Sequence, residues 1–333
     1  MLVGQCRGRY IDCTMQRTLI ALCCALVGVG ALCSAQASEY PTRPIRMILP
    51  FAAGGGVDAV ARIVAPHLSY LLGQPVIVDN RAGGGATIGT ELAARSAADG
   101  YTLIVASSTA LSVNPVLMPV RYDPLKDFVA ITMLGEQPHV LVVNAALPAK
   151  SVREFVALAK TRPLDYSSSG NGGPTHLGGE LFRIATGTQL RHIPYKGQSA
   201  GIIAVLSGEV QFSMPSAASV VQQIRSGKLR ALGVTSAKRL DITPELPTMI
   251  EEGYPIEVVS WMGLFAPTGT PPGIVSTLHR QVAAMMRQPA VVKKFAAIGV
   301  TQGGNPPQEF AAFVRADVKK WARVIKEAGI RLH

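Results

Sequence analysis

"PFAAGGGVDAVAR", Pro50 to Arg62, is the stretch on which the reading of this chain turns. An apolar run, "IRMILPF", stops at three glycines, and a helical pattern with Asp58 in its first turn follows at once. A glycine turn between a strand and a helix leaves the first N–H groups of the helix facing the loop without intrahelical partners. Glycine also lets the backbone come close to whatever sits there. Such a turn suits a negatively charged group.

The same grammar continues outward. "PVIVDN" leads into "AGGGATIGTELAARSAADG", and "YTLIVASS" closes a third unit. Short β-rich runs alternating with helical patterns read as βαβ units and a parallel sheet, which "FVAITMLG" and "HVLVVNA" extend. At "LPAKSVREFVALAK" the pattern restarts, with Ser151 and Glu154 spaced as a capping box. A second set follows through "LDYSSSGNGGPTHLGGELFRIA", "LRHIPYKGQSAGIIAVLSG", "VQFSMPSAASVVQQIRSG" and "LRALGVTS". The last segment is a long amphipathic helix with Phe310, Phe313, Val314 and Trp321 on one stripe. The expected architecture is α/β in two lobes. Residues 40–142 with 262–333 form lobe one, 143–261 form lobe two, and two crossings make a hinge over a cleft.

The first 37 residues read differently. Arg7, Arg9 and Arg17 precede the apolar run Thr18 to Cys33, and "AQA" at 35–37 supplies the small residues of a cleavage site. This is the grammar of a secretory signal, with an N-terminal membrane anchor as the alternative, so the protein is expected to be exported, with Met1 and Met15 both open as the start. All five cysteines, Cys6, Cys13, Cys23, Cys24 and Cys33, lie in that segment. The exported chain would have no disulfide, thiolate metal site or cysteine nucleophile. Losing three arginines and one aspartate lowers the net charge from +11 to +9. The basic residues are dispersed and lack the aromatic interleaving of a nucleic-acid binder.

Enzymatic readings find little support. Gly54, Gly56 and Ala59 satisfy G-x-G-x-x-[GA], and Asp79 follows at the distance of a dinucleotide fingerprint. Export argues against such a cofactor, and no cofactor is expected. No run matches G-x-x-x-x-G-K-[ST], G-x-S-x-G or H-E-x-x-H, and the six histidines are scattered, so no metal is expected either. What remains is repetition. Glycine turns recur at 54–56, 83–85 and 170–173. Each helix N-terminus contributes about 0.3–1 kcal/mol toward an anion, and each hydrogen bond to a charged group about 1.5–3 kcal/mol. Four to six such contacts, less the cost of association, reach the ~8 kcal/mol of micromolar affinity. A secreted hydrolase and a dinucleotide-dependent reductase stay as rivals, as does a binding protein that serves a signalling receptor.

The segments "YPTRPIRMILPFAAGGGVDAVAR", "VIVDNRAGGGATIGTELAARSAADGYTL", "YSSSGNGGPTHLGGELF", "HIPYKGQSAGIIAVLSGEVQF", "LRALGVTS" and "WMGLFAPTGTP" together resemble, in order, the substrate-binding proteins of tripartite tricarboxylate transporters, the Bug family. The resemblance implies a Venus-flytrap (type II) periplasmic binding protein. It implies a monomer that closes on a small carboxylate and delivers it to membrane transporter subunits. It further implies one jaw made of Phe51, Ala52, Gly54, Gly56 and Asp58, with Asp58 ordering the loop, and with Ser107, Ser108 and Thr109 beside it. The opposing jaw would comprise Gly170, Asn171, Thr175 and His176, flanked by Tyr195, Lys196 and Gly197. Two departures stand out: "AGGG" at 82–85 where many relatives have "GAGG", and Pro174 where they often have serine.

Overall fold

The computed structural model describes residues 40–331, and the expected signal segment, 1–37, with its cysteines, lies outside the described residues. From Arg43 onward the chain forms one compact unit built on two mixed sheets. In chain order the first elements are β1 (Ile45–Leu49), α1 (Gly56–Leu72), β2 (Val76–Asn80), α2 (Thr87–Ala94) and β3 (Thr102–Ser107). A π-turn (Thr109–Val113) then runs into the short α3 (Asn114–Leu117) and on to β4 (Phe128–Pro138). The middle third holds β5 (Val140–Asn144), α4 (Val152–Thr161), β6 (Leu164–Ser168), α5 (Pro174–Thr186), β7 (Leu190–Pro194), α6 (Gln198–Ser207), β8 (Phe212–Ser213), α7 (Ala217–Arg225) and β9 (Leu229–Val234). The chain ends with β10 (Val259–Pro267), α8 (Pro272–Met286), α9 (Pro289–Ala297), β11 (Thr301–Gln302) and α10 (Pro307–Ala328).

Sheet one has the order β11-β4-β10-β3-β1-β2. β1 lies parallel between β2 and β3, with Met47 opposite both Val78 and Leu103. β10 runs antiparallel between β3 and β4, so the expected all-parallel sheet is mixed. Sheet two has the order β7-β6-β8-β5-β9, parallel around β6 and antiparallel around β5. Ser151 caps α4 as its spacing predicts: its hydroxyl accepts from Glu154 N, while the Glu154 carboxylate takes the N–H of Lys150, one residue before the usual position.

By sheet membership the crossings fall at His139 and between Val258 and Val259, a few residues ahead of the breaks expected at 142/143 and 261/262. "HVLVVNA" thus pairs in the second sheet and does not extend the first. The run from β4 into β5 is apolar throughout, and an apolar run does not say which sheet it joins. Thr235 stitches the two crossings together. Its hydroxyl accepts from His139 N and donates to Val258 O, and its N–H donates to His139 O.

Helix α10 is shared between lobes. Phe310 and Val314 pack with Trp261 and Phe265 in the core of sheet one. About two turns further on, Trp321, Val324 and Ile325 pack with Phe155, Tyr166 and Phe182 in the core of sheet two. The expectation that 262–333 belongs wholly to lobe one therefore does not describe this helix.

Candidate functional site

The glycine turns all sit where parallel strands end and helices begin. In open α/β sheets ligands collect at that edge. The first turn joins β1 to α1. Gly55 is the N-cap and provides no side-chain cap, so the leading N–H groups of α1 are left to the loop and whatever enters it. Asp58, buried in the first turn, fixes the shape. Its Oδ2 accepts from Gly54 N at 2.9 Å and from Arg62 Nε at 2.7 Å, and its Oδ1 accepts from Asn80 Nδ2 at 3.0 Å. The same Asn80 amide donates to Phe51 O at 3.0 Å. Burial alone would raise the Asp58 pKa, but the bonds from Arg62, Gly54 and Asn80 outweigh it and hold the carboxyl below its ordinary value. Gly54 has φ +86°, a conformation that favours glycine.

Four residues in a row, Gly83 to Ala86, have positive φ in the second turn, and Ala86 (φ +82°) does so with a side chain. Asn114 Nδ2 holds this turn by donating to Gly85 O. Arg81 pairs with Asp79 at 2.9 Å.

Phe51 and Gly56 of the first loop line a pocket of about 180 Å³ together with Ser107, Ser108 and Thr109 from the end of β3. The Ser107 hydroxyl is buried and has no partner among the described residues. Val57, Gln137, Ser260, Trp261 and Met262 complete the wall. No lining side chain is charged. The two polar residues Gln137 and Ser260 are register partners on β4 and β10, at the hinge. Sequence reasoning missed these five. Gln137, Ser260, Trp261 and Met262 are single positions inside strands whose pairing spans much of the chain, and only the glycine turns carry a local signal. A larger hollow, about 530 Å³, lies on lobe one between α8, α10 and β4 and contains none of the glycine-turn residues.

On lobe two, β6 leads through Ser169–Gly173 into α5, whose first residue is Pro174. Pro174 sits where the missing N–H costs no helical bond. Thr175 and His176 are buried and engaged with the loop itself. Thr175 Oγ1 accepts from Ser169 N at 2.8 Å, and His176 Nδ1 accepts from Gly172 N at 3.0 Å. The His176 and His192 rings stack 3.7 Å apart at 9°. Burial pulls both imidazoles down to about 4, His176 adding to the effect on His192. Gly170 is half-buried and Asn171 exposed. Beside them, Tyr195 donates its N–H to Ser168 O and its hydroxyl to Glu209, while Lys196 and Gly197 are exposed ahead of α6. The structure thus gathers Phe51, Gly56, Ser107, Ser108 and Thr109 in one pocket, and groups the lobe-two residues in a separate loop cluster at the end of sheet two.

Comparison with known proteins fits this geometry. Residues 60–330 match the family model described as tripartite tricarboxylate transporter family receptor. Protein BugT of Bordetella pertussis is 41% identical over 323 residues, covering 96% of this chain and 99% of BugT. Among solved structures, a TctC solute binding protein from Polaromonas, determined without ligand, is 29% identical and superposes with a TM-score of 0.82, covering 86% of this chain and 99% of its own. Rpa4515 of R. palustris, determined with adipate, is 35% identical with a TM-score of 0.71, covering 88% and 99%. The fold is that of the two-lobed, type II periplasmic binding proteins, and members of this family are receptors, not enzymes. The chain belongs to the tripartite tricarboxylate transporter receptors, the solute-binding proteins of the Bug family.

Proposed function

We propose that this receptor works in the periplasm, captures a small carboxylate, and presents it to the membrane subunits of a tripartite transporter. The candidates are a di- or tricarboxylate, an acidic amino acid or an aromatic acid. The observation that carries this reading is the uncapped start of α1 beside the partnerless Ser107 hydroxyl, in a pocket without a charged side chain. Unpaired N–H and O–H donors without a cation suit a carboxylate held by hydrogen bonds. The adipate found with Rpa4515 is of that chemistry.

In this reading, Phe51, Ala52, Gly54 and Gly56 with Ser107, Ser108 and Thr109 grip one carboxylate end. Gly170 and Asn171, with Tyr195, Lys196 and Gly197, close on the other. Asp58, Thr175 and His176 shape the two loops. The lobes move about His139 and Val258–Val259, and the protein acts as a monomer after export.

A thermal-shift screen tests it. The protein is stripped of any co-purified ligand by unfolding and refolding, then heated with di- and tricarboxylates, amino acids and aromatic acids. A true ligand stabilises by RT ln(1+[L]/Kd), about 2.7 kcal/mol at a hundredfold excess over Kd. Failure of every anion to raise Tm overturns the reading.

A further inference from the structure

We infer that Ser260 is a specificity-determining residue whose hydroxyl faces the cleft as an acceptor, selecting carboxylates that carry a hydroxyl or amino group on their chain over those with plain methylenes. The inference rests on the carboxylate reading above and follows from one hydrogen-bond chain at the hinge.

His139 sits at the crossing from β4 to β5 and is buried. Its Nδ1 lies 2.8 Å from Met214 O, a carbonyl, which can only accept. The ring proton is therefore on Nδ1. Burial pulls the imidazole down to about 4, so at neutral pH the ring is neutral and Nε2 carries a lone pair. Ser260 Oγ is 2.9 Å from that Nε2, so the serine proton points at the histidine. A hydroxyl has one proton and two lone pairs. With its proton committed, Ser260 offers the cleft lone pairs only.

Ser107 provides the contrast. It lines the same pocket, and its hydroxyl has no partner among the described residues, so it is free to donate to a carboxylate oxygen. A carboxylate placed on Ser260 would meet lone pair with lone pair, whereas a hydroxyl or ammonium would donate to it. Gln137, opposite Ser260 on β4, carries both a donor and an acceptor and can complete the contact to a hydroxyl. The pocket is thus divided, with donors at the loop and at Ser107 and an acceptor at the hinge.

The test uses stripped wild-type protein and calorimetric titration with matched acids: succinate, malate and aspartate, then glutarate, 2-hydroxyglutarate and glutamate. At the chain length that binds, a substituted acid should bind about five- to tenfold tighter than its parent, the worth of one net hydrogen bond. Ser260→Ala should bring that ratio to about one while still binding the parent acid, and Ser260→Thr, which keeps the hydroxyl, should preserve it. The ratio is the readout because a purely structural role for Ser260 would weaken both acids alike. A parent acid that binds as tightly as its substituted partners, or a ratio unchanged in Ser260→Ala, overturns the inference and leaves the carboxylate reading standing. Binding of none of these six while another acid binds also overturns the inference alone. Binding of no anion at all overturns both.

Discussion

Trp261 Nε1 donates to Asp317 Oδ2 at 2.7 Å, tying a residue of the cleft wall to the C-terminal helix. Both residues are buried, and Asp317 Oδ1 lies 2.8 Å from Lys320 Nζ. Asp317→Ala should therefore leave a buried indole N–H without an acceptor and cost about 1–3 kcal/mol in chemical denaturation. Asp317→Asn keeps an acceptor for the indole and should cost less. Equal losses in the two variants would show that the indole bond is not what Asp317 contributes.

Asp58 holds three donors at once, from Gly54, Arg62 and Asn80. Asp58→Ala should free the first loop, lowering stability by about 1–3 kcal/mol and ligand affinity by more than about tenfold. Unchanged affinity in titration would separate the loop's shape from binding.

Gly56 tests the jaw more narrowly. Its φ is not positive, and a Cβ there would meet Gln137 at 3.8 Å, an ordinary contact. The backbone thus accepts a side chain, and Gly56→Val should fold with little change in Tm. Its methyl groups would fill the pocket beside Gln137 and abolish binding. Retained affinity would remove that loop from the site.

His176 predicts a pH dependence. Its Nδ1 must be unprotonated to accept from Gly172 N–H. The folded-state pKa, about 4, lies below the ordinary 6.5, so between these values the unfolded chain binds more protons than the folded one. The stability held by the neutral ring is complete above about 6.5 and falls as pH drops toward about 4. His176→Asn, whose amide oxygen replaces Nδ1 without titrating, should flatten the Tm-against-pH curve between 6.5 and 4.5. Parallel curves for the two proteins would count against this role.

Much of the fold is legible in the sequence alone. The alternation of apolar runs and helical patterns gave the elements, and the glycine turns gave the strand-to-helix loops. That Asp58 orders that loop came from the family resemblance, since an acidic residue in a first helical turn does not by itself name its partners. Three things were hidden. The run through His139 changes sheets without changing composition. Gln137 and Ser260 are ordinary strand residues until β4 and β10 pair. The stripe of α10 is continuous, and a stripe does not say that its two ends serve different cores. Local chemistry writes itself into neighbouring letters, whereas partnership between distant strands does not.

The shared helix has a consequence for how the protein is built. By chain order the middle segment is an insertion that leaves and returns at two points. Its core, however, is finished by Trp321, Val324 and Ile325, which arrive from the far end of the chain. The inserted half therefore does not complete its core from its own residues. The inserted segment waits on the last residues to be made before its interior is sealed, so the final helix closes the architecture in assembly as it joins the two halves in the finished molecule.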